Sequence, residues 1–129
     1  MKKIRLGRTN QEVSIISLGA WSHGKQNTNS GSNVGWANQT DQDSKNALLK
    51  SFSLGLNHWD TADVYGEGHS EKIIGSMWDE ISRKEIFLAT KVGWDKGPNK
   101  NWYDPDYMSS KMHQSLKNLK TECIDLLYL

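Results

Sequence analysis

The segment Glu85-Ile86-Phe87-Leu88-Ala89-Thr90-Lys91-Val92 is strongly apolar and closes on a lysine. A run of that length reads as a strand, and one without polar alternation is covered on both faces. Burial on both faces is the condition of a parallel sheet wrapped by helices. The neighbouring sequence agrees. Residues 57–62 and 123–129 read as further strands, and residues 17–21 as another that ends in a glycine-containing loop. Helical patterns alternate with them. The first covers residues 41–55, capped by Asp41 or Asp43, with Ala47, Leu48, Phe52 and Leu54 as its apolar face and Gly55 as its stop. A second is capped by Ser70 and carries Ile73, Ile74, Met77, Trp78 and Ile81; a third runs over 109–119 with Met112, Leu116 and Leu119 on one side. Residues 2–7 and 13–16 alternate as a β-hairpin, residues 23–42 read as a long polar loop, and residues 93–107 form another loop holding Trp94 and Trp102.

The order is therefore a hairpin, three strand–loop–helix units and a final strand. Such alternation predicts an α/β fold with a parallel sheet and right-handed crossovers. A dinucleotide-binding sheet would place Gly-x-Gly-x-x-Gly directly after its first strand. Gly19 is instead followed by Ala20-Trp21-Ser22-His23-Gly24, while Gly66 and Gly68 follow a later strand and lack the third glycine. Polar chemistry sits at strand ends: Asp60 closes one strand, Lys91 the next, and Tyr65 lies just after Asp60. A (β/α)8 barrel builds its site from such ends, and it needs about 250 residues. The 129 residues present are thus expected to be the N-terminal part of a TIM barrel. Residues 1–16 would be the hairpin, and residues 17–129 about four barrel strands with three helices.

Composition narrows the function. Sixteen Lys and Arg stand against fifteen Asp and Glu, for a net charge of +1, so no basic excess marks a nucleic-acid partner. No apolar stretch approaches the roughly 20 residues needed to span a bilayer, and no signal peptide is expected. Cys123 is the single cysteine. It reads as a small buried hydrophobe beside Ile124, and its solitude suits a reducing, cytoplasmic setting. His23, His58, His69 and His113 lack metal-ligand spacing, so no metal is expected.

Asp60, Tyr65 and Lys91 make chemical sense as a group. A free phenol has a pKa near ~10. An adjacent ammonium favours the phenolate, and a carboxylate beside the ammonium keeps it charged and in place. A tyrosine so placed can protonate an alkoxide as a carbonyl is reduced. Adjacent strands lie about 4.8 Å apart, close enough for their end residues to meet. Taken singly, each has a structural reading: Asp60 as a turn cap, Lys91 as a solvated strand end, Tyr65 as a packing residue.

The run Gly55-Leu56-Asn57-His58-Trp59-Asp60-Thr61-Ala62-Asp63-Val64-Tyr65-Gly66-Glu67-Gly68-His69-Ser70-Glu71-Lys72-Ile73-Ile74-Gly75 resembles the most specific signature of the aldo-keto reductase superfamily. Leu6-Gly7-Arg8-Thr9, Leu18-Gly19-Ala20-Trp21, Thr90-Lys91 and Ile124-Asp125-Leu126-Leu127-Tyr128-Leu129 resemble other family segments, in order. The form of the tyrosine loop is similar to the bacterial oxidoreductase branch that includes the potassium-channel β subunits. The resemblance implies that Tyr65 is the acid/base, with Lys91, held by Asp60, tuning it. It also implies that Asp60 and the Ala20-Trp21 segment touch the nicotinamide end of NADPH, NADH being the alternative cofactor. Trp21 and Trp94 become candidate walls of the substrate pocket, although a packing role suits each equally. Lys120-Thr121-Glu122-Cys123 departs from the family's usual turn.

The family's fourth catalytic residue, a histidine, would follow Leu129, as would the half of the barrel that holds most of the cofactor. The full-length parent is thus expected to reduce aldehyde, ketone or sugar carbonyls. A polypeptide of these residues alone is expected to be inactive and to self-associate through open strand edges. The alternative is a non-catalytic nucleotide-sensing or partner-binding module similar to channel β subunits.

Overall fold

The computed structural model describes residues 1–29, 32–94 and 96–129, with backbone only for 27–29 and 32–34. The chain opens with β1 (Lys3–Arg5) and β2 (Glu12–Ser14), an antiparallel pair with Ile4 opposite Val13. Asn57 fastens this hairpin to the sheet. Its Oδ1 accepts from the Ser14 N–H at 2.7 Å, and its Nδ2 donates to the Glu12 carbonyl at 3.1 Å.

A parallel sheet of four strands follows: β3 (Leu18–Gly19), β6 (His58–Asp60), β7 (Phe87–Lys91) and β8 (Leu126–Tyr128), in that spatial order. Between β3 and β6 the chain forms β4 (Asn27–Asn29), β5 (Ser32–Val34) and helix α1 (Asp41–Ser53). Helix α2 (His69–Gly75) joins β6 to β7, and α3 (Pro105–Asn118) joins β7 to β8. Four residues of β7 are buried, as its apolar composition requires.

Several elements differ from expectation, each for a local reason. The polar stretch 23–42 holds the end of a 3-10 turn, Trp21–Gly24, and the antiparallel pair β4–β5. Its residues carry no apolar alternation, so the strand period was silent there. Thr40 caps α1 in place of Asp41 or Asp43. Its hydroxyl accepts from the Asp43 N–H at 3.1 Å, and the Asp43 carboxylate accepts from the Thr40 N–H at 3.0 Å. This reciprocal pair satisfies two donors at once.

The buried line of α1 is Ser44, Leu48 and Ser51, while Ala47 and Leu54 face solvent. The two serines tolerate burial because each donates its hydroxyl to a preceding carbonyl of the helix or its cap. Helix α2 is capped by Gly68 at φ +84°, and Ser70 lies inside it. Helix α3 starts four residues early because Asp104 accepts from the Tyr107 N–H at 2.9 Å and Pro105 occupies the first turn. Cys123 is exposed, because the chain is still turning into β8 at that point.

The core lies between sheet and helices. Leu48, Trp59, Ile74, Met77, Ile81, Leu88 and Leu119 are buried there. Trp59 stacks on Trp78 at 6.2 Å, and their indole N–H groups donate to the carbonyls of Leu56 and Leu119 respectively. Leu48→Ala is expected to destabilise the full-length protein by about 2–5 kcal/mol. Ala47→Lys, one position away, is expected to stay within about 0.5 kcal/mol of the parent. Urea unfolding of both variants checks the orientation of α1.

Candidate active site

The sheet register sets the strand ends side by side. Gly19 pairs with Asp60, Asp60 with Ala89, and Lys91 with Tyr128. The Lys91 ammonium crosses back to β6, donating to Asp60 Oδ2 at 2.5 Å and to the Thr61 carbonyl at 2.9 Å. An ammonium has three donors, and these bonds use two of them. The nitrogen lies 5.1 Å from the centre of the Tyr65 ring. Asp60, Lys91 and Tyr65 therefore form one cluster, with the ion pair about one-third exposed on each side.

Tyr65 is set by backbone packing. The Trp21–Gly24 turn rests directly on the Tyr65–Gly66 backbone. A Cβ on Gly24 would stand 2.6 Å from the Tyr65 carbonyl carbon, and one on Gly66 1.8 Å from the Gly24 carbonyl oxygen. Gly66 also has φ +63°, a backbone geometry that favours glycine.

A cavity of about 550 Å³ opens over this cluster, lined by Trp21, Tyr65, Lys91, Trp94 and Tyr103 among others. The Trp21 ring lies 6.2 Å from the Tyr65 ring and meets the Trp36 ring edge-on at 6.2 Å. Ala20 is placed differently. It is buried, its N–H donates to the Asp60 carbonyl at 2.8 Å, and its carbonyl accepts from Ser70 and His23. Ala20 thus shapes the site through its backbone.

Sequence reasoning passed over the groups behind the cluster. Glu71 is fully buried in the first turn of α2. Its carboxylate accepts from Thr90 Oγ1 at 2.8 Å and from Asn118 Nδ2 at 2.9 Å. Burial raises its pKa, opposed by these bonds, and the nearby Asp63 carboxylate raises it further. Asp63, itself nearly buried, pairs with Lys111 at 2.8 Å. Tyr103 was likewise missed. Its ring lies 3.0 Å from where a Cβ on Gly93 would stand, which brings it to the cavity wall. The available signal was the Ser-Glu dipeptide after the glycine loop, which also reads as a plain helix start. His23 is buried, and burial lowers its pKa. Its Nδ1 lies 3.1 Å from Gln39 Nε2, an amide that can only donate, so the ring accepts there.

The aldo/keto reductase family model matches residues 15–129. The chain belongs to the aldo/keto reductase family. It is 41% identical over 87 residues to the aldo-keto reductase yakc [NADP(+)] of Schizosaccharomyces pombe, covering 64% of this chain and 26% of the relative. It is 30% identical over 132 residues to a probable voltage-gated potassium channel subunit beta of Oryza sativa, covering 99% of this chain and 37% of that one. Among solved structures, the holo form of an aldo-keto reductase from Bacillus halodurans superposes with a TM-score of 0.75 at 30% identity, over 98% of this chain and 39% of that one. The chain thus spans well under half the length of these relatives. Its parallel strands and connecting helices are part of a (β/α)8 barrel.

The raised pKa of Glu71 has a direct consequence. A carboxyl raised in the folded state contributes stability that is full below the ordinary carboxylate range and is lost as pH rises through the raised value. Glu71→Gln removes that titration. The stability of the variant relative to the parent is expected to improve as pH rises from about 4 to about 8. Thermal unfolding across that range checks it, and a difference that does not change with pH would count against the burial effect.

Proposed function

We propose that the full-length protein carrying this chain is an NADPH-dependent carbonyl reductase, acting on aldehydes, ketones or sugar carbonyls. The observation that carries this reading is the Lys91 ammonium, held by Asp60 and the Thr61 carbonyl beside the Tyr65 ring, under an open aromatic-walled cavity. The donor set suits the cofactor's nicotinamide end. Trp21 and Tyr65 offer flat apolar faces, and the phenol and ammonium offer polar contacts to the reacting carbonyl. Trp94 and Tyr103 form the outer wall on the substrate side. The name of the Schizosaccharomyces pombe relative carries NADP(+), which favours NADPH over NADH.

When bound, the cofactor supplies a hydride. Three residues of this chain handle the proton. Tyr65 Oη donates the proton that the reduced carbonyl oxygen takes up, which completes the alcohol. The Lys91 charge stabilises the negative charge left on Oη, and Asp60 holds that ammonium in position.

Three outcomes follow. Tyr65→Phe should lower kcat for reduction of an aromatic aldehyde by about 10²–10⁴-fold while leaving the dissociation constant for NADPH nearly unchanged. Stopped-flow and fluorescence titration measure the two quantities, and near-parental turnover would remove Tyr65 from the chemistry. Lys91→Met should cause a comparable loss and change the shape of the pH–rate profile; an unchanged profile would uncouple Lys91 from Tyr65.

A polypeptide of residues 1–129 alone should turn over no NADPH and should self-associate. In the four-stranded sheet β3 and β8 are the edges, and Tyr128 at the end of β8 and Leu129 just after it are exposed. Size-exclusion chromatography with an NADPH-oxidation assay checks this. A stable, active monomer would contradict it.

A further inference from the structure

Two adjacent residues in the first turn of α2 reach the ends of three of the four parallel strands. Ser70 Oγ donates to the Ala20 carbonyl at 2.8 Å and lies 2.9 Å from Thr61 Oγ1. A hydroxyl has a single proton. Ser70 gives its proton to Ala20, so Thr61 must be the donor in the second bond. The Ser70 N–H also donates to the Tyr65 carbonyl at 3.2 Å. Glu71, next in sequence, accepts from Thr90, the neighbour of Lys91, and from Asn118 at the end of α3. Ala20, Thr61, Ser70, Glu71 and Thr90 have no measurable exposure.

The Lys91 ammonium is thereby bracketed. Its carbonyl acceptor belongs to Thr61, whose side chain is tied to Ser70. Its own strand is tied through Thr90 to Glu71. Tyr65 is tied by its carbonyl to the same Ser70. We infer that Ser70 and Glu71 are positioning residues that fix Lys91 and Tyr65 relative to each other. The inference rests on the reductase reading above and deepens it. A buried polar network of this kind holds one geometry, because each bond lost leaves a group that no water can reach. Ser70 and Glu71 are not among the residues that line the cavity; they act through Thr61, Thr90 and the Tyr65 backbone.

The test uses the full-length protein and the variants Ser70→Ala, Thr61→Val/Ser70→Ala, Glu71→Leu and Glu71→Gln. Three quantities are read: Tm, kcat for an aromatic aldehyde with NADPH, and the position of Lys91 Nζ in a crystal structure. Misplacement by about an ångström costs on the order of 10²-fold in rate, so Ser70→Ala should lose about that factor in kcat. The double variant removes both partners of one bond, so Tm should return toward the parental value. Its kcat should stay low, with Lys91 Nζ displaced from the Thr61 carbonyl. Glu71→Gln, which can still accept from Thr90, should recover kcat that Glu71→Leu loses.

Recovery of kcat in step with Tm in the double variant would overturn the inference, because the pair would then serve stability alone. So would an unmoved Lys91 in the variants. If the parent protein reduces no carbonyl, the proposed function fails. The Lys91 position then still decides whether Ser70 and Glu71 set the cluster.

Discussion

The site depends on the bonds from the first turn of α2 to three separate strand ends. Parallel strands are joined only through long crossovers, so nothing local fixes the end of one strand against the next. Ladder hydrogen bonds set the register, pairing Gly19 with Asp60 and Asp60 with Ala89. Beyond the ladder the chain leaves the sheet, and side chains take over. Ser70 ties β3 to the residue after β6, and Glu71 ties β7 to α3. The core beneath them is apolar and tightly filled, with Trp59, Leu88 and Ile74 fully buried. The active cluster is thus a thin polar layer between that core and an open aromatic cavity.

Charge is handled in the same economical way. The Lys91–Asp60 pair is partly solvated, which limits the cost of taking both charges from water. Glu71 is fully enclosed and is kept in place by hydroxyl and amide donors. Arg83 shows a third solution at the far end of the sheet. It donates to the carbonyls of Ile86 and Cys123 and to the Asp125 carboxylate, which in turn accepts from the Leu88 N–H. That link anchors the start of β8 to β7 on the side opposite the cluster.

Much of this was legible in the sequence where hydrophobic period and strand-end chemistry spoke together. The apolar run before Lys91 announced a buried parallel strand; Ile73, Ile74, Met77 and Ile81 are buried as expected, but helix α2 ends at Gly75, so Met77, Trp78 and Ile81 lie in the turns beyond it. The grouping of Asp60, Tyr65 and Lys91 was legible because Asp60 and Lys91 close neighbouring strands and Tyr65 lies in the loop after the first of them. What stayed hidden depended on tertiary partners. Ser70 looks like a helix cap by composition, yet its hydroxyl is drawn inward to Ala20 and Thr61. Glu71 looks like an exposed first-turn acid, and only the arrival of α3 and β7 buries it. The sequence of β4–β5 has no apolar alternation to reveal it. Thr40 was overlooked as a cap because two aspartates beside it are equally good by type.

A crystal structure of the full-length protein with NADP+ bound tests the central claim most directly. The account predicts that Lys91 Nζ still donates to Asp60 and to the Thr61 carbonyl, with Tyr65 Oη within about 3 Å of that nitrogen and facing the cavity. It also predicts that Ser70 and Glu71 keep their bonds to Ala20, Thr61 and Thr90. A structure with Lys91 turned away from Asp60, or with the Tyr65 hydroxyl pointing out of the cavity, would contradict it.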